Sequence, residues 1–147
     1  MDISKEDEQV IWMIDDDQIQ HFCVEKSLQV QGLSKHIMSF FNGGEAMNFF
    51  SQHLEDDSLL PDIILLDLHM PYVNGWQFLQ QYAMIKQRLK KQIKIYLISS
   101  TINQEEIKKA TSLPEVSGFF SKPIKPDDLY YILTADFQVS RLSNPIK

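Results

Sequence analysis

The segment Ile63–Leu66 is continuously apolar and stops on an aspartate, Asp67. A strand with one wet face alternates apolar and polar residues, so an unbroken run belongs to a strand covered on both faces, as in a parallel sheet between helices. Pro61 lies just ahead of the run, where a missing N–H is tolerated. Val10–Ile14 repeats the pattern and ends in Asp15, Asp16 and Asp17, and Ile93–Ile98, apolar apart from Lys94, reads as a further strand that stops at Ser99, Ser100 and Thr101. His36–Phe41, closed by Asn42, Gly43 and Gly44, and Gly118–Ser121, followed by Lys122 and Pro123, read as two further strands.

Helical spacing fills the intervals. Ile19, Phe22, Cys23 and Val30 fall near one face of a helix over 18–30, and Ala46, Met47, Phe49, Phe50 and Leu54 suggest a second. The stretch 55–61 reads as a loop. Trp76, Leu79, Tyr82, Ala83 and Ile85 support a long helix running into the basic stretch at Arg88–Lys91, where cations suit the helix dipole. Asn103 is placed to cap a helix carrying Ile107, Ala110 and Leu113 and ended by Pro114, and Leu129, Ile132, Leu133 and Phe137 form the stripe of a last one. Tyr130 and Tyr131 are expected to be core and surface in turn, or to line a partner face. Five strands alternating with five helices give an α/β fold, a flavodoxin-like doubly wound parallel sheet expected in the order 2-1-3-4-5.

A chain of 147 residues closes one hydrophobic core, so a single domain is expected over 1–147, with its body at about 9–137 and short polar tails. A net charge of −6 and a pI near 5.1 work against a phosphate-backbone partner, so no nucleic acid is expected. No apolar run nears the ~20 residues of a membrane span and the N-terminus is acidic, which leads to the expectation of a cytoplasmic protein with no membrane partner. Cys23 is the single cysteine, so an intrachain disulfide is ruled out and a buried small hydrophobe is expected there. His21, His36, His53 and His69 lack the close helical pairing of a zinc motif and read as surface or partly buried residues.

The polar residues that end the runs collect at one place. In sheets of this kind ligands gather at the carboxyl ends of the strands, near the point where strand order reverses. Asp15, Asp16, Asp17, Asp67, Ser99, Ser100 and Lys122 all fall there. Carboxylates packed together repel unless a cation joins them, and hard oxygen ligands suit Mg²⁺. A carboxylate can also attack phosphorus to form an aspartyl phosphate if the transferred charge is neutralised, with Lys122 and Ser99 as candidate partners for phosphoryl oxygens. No residue stands out as a base that would activate a water. Taken singly, Asp15–Asp17 could equally cap the first helix, a part expected of Asp17, and Asp67 or Lys122 could be solvated turn residues.

Four segments, IWMIDDD, IILLDLHMPYVNGW, the ISS at Ser99 and GFFSKP, resemble the signature segments of response-regulator receiver domains, in order and in spacing, from about Val10 to Phe137. The most specific piece is Asp67 with Met70, Pro71 and Gly75 behind it, since the short loop beside the nucleophile needs a tight turn. The resemblance implies that Asp67 accepts a phosphoryl group, that Asp15, Asp16, Asp67 and the backbone carbonyl of His69 hold Mg²⁺, and that Ser99 and Ser100 with Lys122 meet the phosphate. Phe119 falls at the position of a rotating aromatic and has no hydroxyl. Asn74 stands where Asp is common before the glycine, and either suits a turn.

By the same resemblance the donor is a sensor histidine kinase or a histidine phosphotransfer protein, and the chain is no enzyme beyond its own phosphorylation and dephosphorylation. The sequence ends soon after its last helix, so output is expected through an unknown downstream protein, through a homodimer on the helix 4, strand 5, helix 5 face, or by passing the phosphoryl group onward. Two other readings compete. A docking module without phosphorylation would leave the clustered carboxylates unused at a cost in stability. A Mg²⁺-dependent phosphatase on a similar sheet usually carries a second acid two residues past its nucleophile, where this chain has His69, a residue also placed to influence phosphoryl lifetime.

Overall fold

The computed structural model describes residues 9–33 and 36–142, with side chains described as far as 134. Strands β1 (Val10–Ile14), β2 (His36–Phe40), β3 (Ile63–Leu66), β4 (Lys94–Ser99) and β5 (Val116–Ser121) alternate with helices α1 (Gln18–Val30), α2 (Gly43–Gln52), α3 (Gly75–Ile85), α4 (Gln104–Thr111) and α5 (Pro126–Leu142). All pairings are parallel and the sheet order is β2-β1-β3-β4-β5, the expected doubly wound order.

The unbroken apolar runs are explained by two cores, one on each face. Trp12, Ile14, Ile64, Leu66, Ile95 and Leu97 point toward α2, α3 and α4, where they meet Phe50, Phe78 and Leu79. Their neighbours in the strands, Ile11, Met13, Ile63, Leu65, Tyr96 and Ile98, point the other way onto Val24 and Leu28 of α1 and Leu129, Ile132 and Leu133 of α5. Alternation of side chains across a strand therefore gives every position a buried face. Each such side chain contributes about 1.5–3 kcal/mol of transfer free energy, which is why β1 and β3 carry no polar residue until they stop.

Helix starts are set by side-chain caps. Asp17 accepts from the N–H of Ile19 (2.9 Å), as expected, Asn42 from Glu45 (2.8 Å), and Asn103 from Glu106 (3.0 Å). Asn74 and Gln77 bond reciprocally in a capping box. The basic stretch after α3 is a 3-10 turn at Lys86–Arg88 rather than a continued helix, and its lysines take specific partners. Lys86 pairs with Glu115 at 2.5 Å, and Lys91 donates to the carbonyls of Asp57 (2.9 Å) and Leu60 (2.7 Å).

The first helix corrects the sequence reading. His21, Val24 and Leu28 face the sheet, whereas Ile19 is 69% and Phe22 65% exposed, and Val30 and Cys23 are exposed beside them. The apolar stripe found by spacing is real but points outward, about half a turn from the buried one, because the inner stripe is completed by a histidine that hydropathy does not count. Cys23 is accordingly no core residue, and His21, only 5% exposed, is no surface histidine. Tyr130 and Tyr131 are both about half exposed, so neither belongs to the core. α5 continues to Leu142, past the expected end of the body; the side chain of Phe137 and the chain ends at 1–8 and 143–147 lie outside the described residues.

Candidate functional site

The carboxyl edge of the sheet is built by backbone bonds between strand ends. The N–H of Asp67 donates to the carbonyl of Ile14 (2.9 Å), that of Asp15 to Phe40 (3.0 Å), and that of Lys122 to Ser99 (3.0 Å). Where β1, β3, β4 and β5 stop, Asp15, Asp67, Ser99 and Lys122 thus leave the sheet side by side. Asp15, Asp67 and Ser99 are buried, Lys122 is half-buried, and Asp16 and Ser100 are exposed.

Among the described residues, Asp15, Asp16 and Asp67 each offer one carboxylate oxygen, and these oxygens lie within 4.8 Å of one another. The ammonium of Lys122 stands 2.9 Å from Asp15 Oδ2 and 3.1 Å from Asp67 Oδ2. Burial first, and the charge of Asp15 second, raise the pKa of Asp67 from 3.8 to about 6, against the opposing pull of Lys122. Burial works against the charge of Lys122, yet its hydrogen bond to and attraction by Asp15, with those of Asp67 behind them, raise its pKa overall. One cation is therefore shared between two buried carboxylates, and Asp67 remains short of compensation. An all-oxygen donor set with excess negative charge fits a hard divalent ion.

The loop behind Asp67 is held by space and by strain. A Cβ on Gly75 would come 2.5 Å from the carbonyl oxygen of Asp67 and 2.7 Å from Leu68 Cα, and the Gly75 N–H donates to Leu68 (2.9 Å). Gly75 is needed for close approach of α3 to the acceptor strand rather than for the turn itself. The positive φ falls instead on Tyr72, at 67°, directly after Pro71. A residue other than glycine is strained there.

Side-chain contacts that no motif announces complete the surroundings. His69 turns its ring outward, its Nε2 3.1 Å from Glu106 Oε1, while the Trp76 indole donates to Glu106 Oε2 (3.2 Å) and Lys109 lies 4.6 Å above the Trp76 ring. A hydrogen bond from Thr101, then those from Trp76 and His69, hold the Glu106 carboxyl below its usual pKa. Glu106 belongs to the first turn of α4, so this cluster joins α4 to the acceptor loop. The N–H of His69 meanwhile lies 3.4 Å from Asp67 Oδ1. Phe119 is half-buried and packs against the core on the α4 side.

The response regulator receiver domain model matches residues 11–134. The chain belongs to this family. It is 24% identical, over 86% of its own length and 80% of the relative's, to a probable methanogenesis regulatory protein, FilR2, of Methanothrix harundinacea (strain 6Ac). It is 40% identical over 84 residues to a protein-glutamate methylesterase/protein-glutamine glutaminase of Treponema pallidum (strain Nichols), of which it spans 19%. Among solved structures, a two-component response regulator from Cytophaga hutchinsonii superposes with a TM-score of 0.79 at 25% identity, covering 90% of this chain and 98% of that one. The phosphorylated cyanobacterial phytochrome response regulator RcpA superposes with a TM-score of 0.70 at 24% identity, covering 94% and 99%. A receiver domain of two-component signalling, a signalling phosphoacceptor family whose members bind Mg²⁺ at this acidic edge, therefore accounts for the clustering of Asp15, Asp16 and Asp67. No helix among the described residues is long and apolar enough to cross a membrane.

Proposed function

We propose that this receiver domain stores a signal as a phosphoryl group on Asp67, taken from the phosphohistidine of a sensor kinase or phosphotransfer protein. The observation that carries the reading is the placement of Lys122 between two buried carboxylates, 2.9 Å from Asp15 and 3.1 Å from Asp67. Asp15, Asp16 and Asp67, with the carbonyl of His69, would hold Mg²⁺, whose charge offsets that of the incoming phosphoryl oxygens. An Asp67 oxygen attacks phosphorus, the P–N bond breaks, and its electron pair returns to the donor imidazole, which takes up a proton. With a pKa near 6, Asp67 is mostly ionised at neutral pH and so able to attack. Lys122 would then follow a phosphoryl oxygen, and the hydroxyls of Ser99 and Ser100, at the end of β4, are the donors we assign to the others.

Docking of the donor is served by the outward face of α1. Ile19, Phe22 and Cys23 begin three residues past Asp16 and present an apolar surface beside the acidic loop. Contiguous exposed apolar patches mark contact sites. Output runs through the α4, β5, α5 side, since Glu106 ties the first turn of α4 to the acceptor loop and Phe119 packs under α4.

Incubation with Mg²⁺ and a small acyl phosphate should add one phosphoryl mass in intact-protein mass spectra, and Asp67→Ala should abolish the adduct. Absence of an adduct from small donors and from phosphorylated histidine proteins alike overturns the proposal.

A further inference from the structure

His21 is buried beneath the acidic loop with both ring nitrogens engaged. Its Nε2 lies 2.8 Å from the backbone carbonyl oxygen of Asp15 and its Nδ1 3.0 Å from Ser39 Oγ, while the ring packs on Phe41 at a centroid distance of 4.4 Å. A carbonyl only accepts, so Nε2 carries a proton and donates, and in that tautomer Nδ1 accepts a hydrogen bond from the Ser39 hydroxyl. The carbonyl in question belongs to the peptide joining Asp15 to Asp16. Fixing that carbonyl fixes ψ of Asp15, and a change of ψ at Asp15 would turn the Cα–Cβ vector of Asp16 relative to that of Asp15, and with it the angle between the two carboxylates.

We infer that His21 is a positioning residue for the metal-holding pair: its imidazole clamps the Asp15–Asp16 peptide to α1 and β2 and thereby aims two carboxylates at one point. This rests on the reading of Asp15, Asp16 and Asp67 as the metal carboxylates. Two further bonds hold the peptides on either side of it. The N–H of Asp15 donates to Phe40 (3.0 Å) and that of Asp17 to Asp15 Oδ1 (2.9 Å). β1 has ended at Ile14, and the imidazole supplies a donor to the carbonyl just beyond it. Groups that orient metal ligands without touching the ion typically change affinity 10–100-fold when removed.

The test is a titration of the full chain with Mn²⁺, followed by the free-ion electron paramagnetic resonance signal, with Mg²⁺ as competitor. His21→Phe keeps a planar ring and deletes the donor, and should weaken Mg²⁺ binding about tenfold. His21→Gln places an amide N–H where Nε2 stood and should restore most of the affinity, whereas His21→Asn, whose amide reaches only the Nδ1 position, should not. If His21→Phe fails to fold by circular dichroism, the Gln and Asn variants alone decide. Equal affinities in those two, or wild-type affinity in His21→Phe, overturn the inference while leaving the proposed function standing. A wild-type chain that takes up neither metal nor phosphoryl group overturns both.

Discussion

Glu106 Oε1 lies 3.1 Å from His69 Nε2, which fastens the first turn of α4 to the loop immediately behind Asp67. Trp76 donates to the other oxygen of the same carboxylate, so one side chain of α4 bridges the acceptor loop and α3, beside the contact of Lys109 with the Trp76 ring. Glu106→Ala should leave the helix start intact, because Asn103 caps the backbone N–H and not the side chain. Hydrogen exchange at residues 104–107 should nevertheless quicken several-fold, since those amides then open without the tie to α3. Unchanged exchange would show that the bridge carries no restraint.

The raised pKa of Asp67 has a definite sign for stability. Between its ordinary 3.8 and about 6 the folded chain binds a proton that the unfolded chain has lost, so this group's contribution declines as pH rises through that window and is flat above it. Asp67→Asn should therefore stabilise the metal-free protein at about pH 8, by on the order of 2 kcal/mol. The gap should close as pH falls below the window. Urea unfolding at about pH 8 and pH 4 checks it, and a gap independent of pH contradicts the assignment. Mg²⁺ affinity should weaken as pH is lowered through the same window, because binding must expel the proton.

Phe22 offers a separation of chemistry from docking. It is largely exposed and supports no core, so Phe22→Ser should change stability by no more than about 0.5 kcal/mol. Phosphorylation by a small acyl phosphate should proceed at the wild-type rate, while transfer from a phosphorylated histidine protein should slow about tenfold, the loss typical of an aromatic contact residue. Equal rates with both donors would remove α1 from the docking surface.

Tyr72 and Gly75 test conformation and space within one loop. Tyr72 is 90% exposed at φ 67°, so Tyr72→Asn should relieve strain and stabilise by roughly 0.5–1 kcal/mol. Gly75→Ala places a methyl against the Asp67 carbonyl and should destabilise by about 1–3 kcal/mol. It should also slow acyl-phosphate labelling by displacing Asp67. Denaturant midpoints and labelling rates on the two variants should move in opposite senses, and a neutral Gly75→Ala would refute the packing account.

The strand ends were legible in the sequence because they combine a continuous apolar run with an abrupt polar stop, a pattern that burial on both faces imposes on β1, β3 and β4. The family resemblance then matched Asp15, Asp16, Asp67, Ser99 and Lys122 to one edge, and the structure brings all of them there. Three other features were not legible. Spacing located the apolar stripe of α1 but not its direction, since Ile19, Phe22 and Val30 satisfy helical periodicity as well as His21, Val24 and Leu28 do. Nothing around Glu106 marks it in the sequence, because its partners His69 and Trp76 lie 37 and 30 residues away. Gly75 looked like a turn glycine, and only the approach of α3 to Asp67 shows that it is a spacing glycine.

By itself the sequence determined the order of elements, the doubly wound class and the strand ends where chemistry collects, all of which follow from local hydrophobicity and punctuation. Tertiary structure alone decided which face of α1 is buried, that a histidine clamps the Asp15–Asp16 peptide, and that one ammonium is shared by two carboxylates. Those outcomes depend on distances between residues remote in the chain. Burial, desolvation and hydrogen bonding act on neighbours in space, so no pattern along the chain could have carried them.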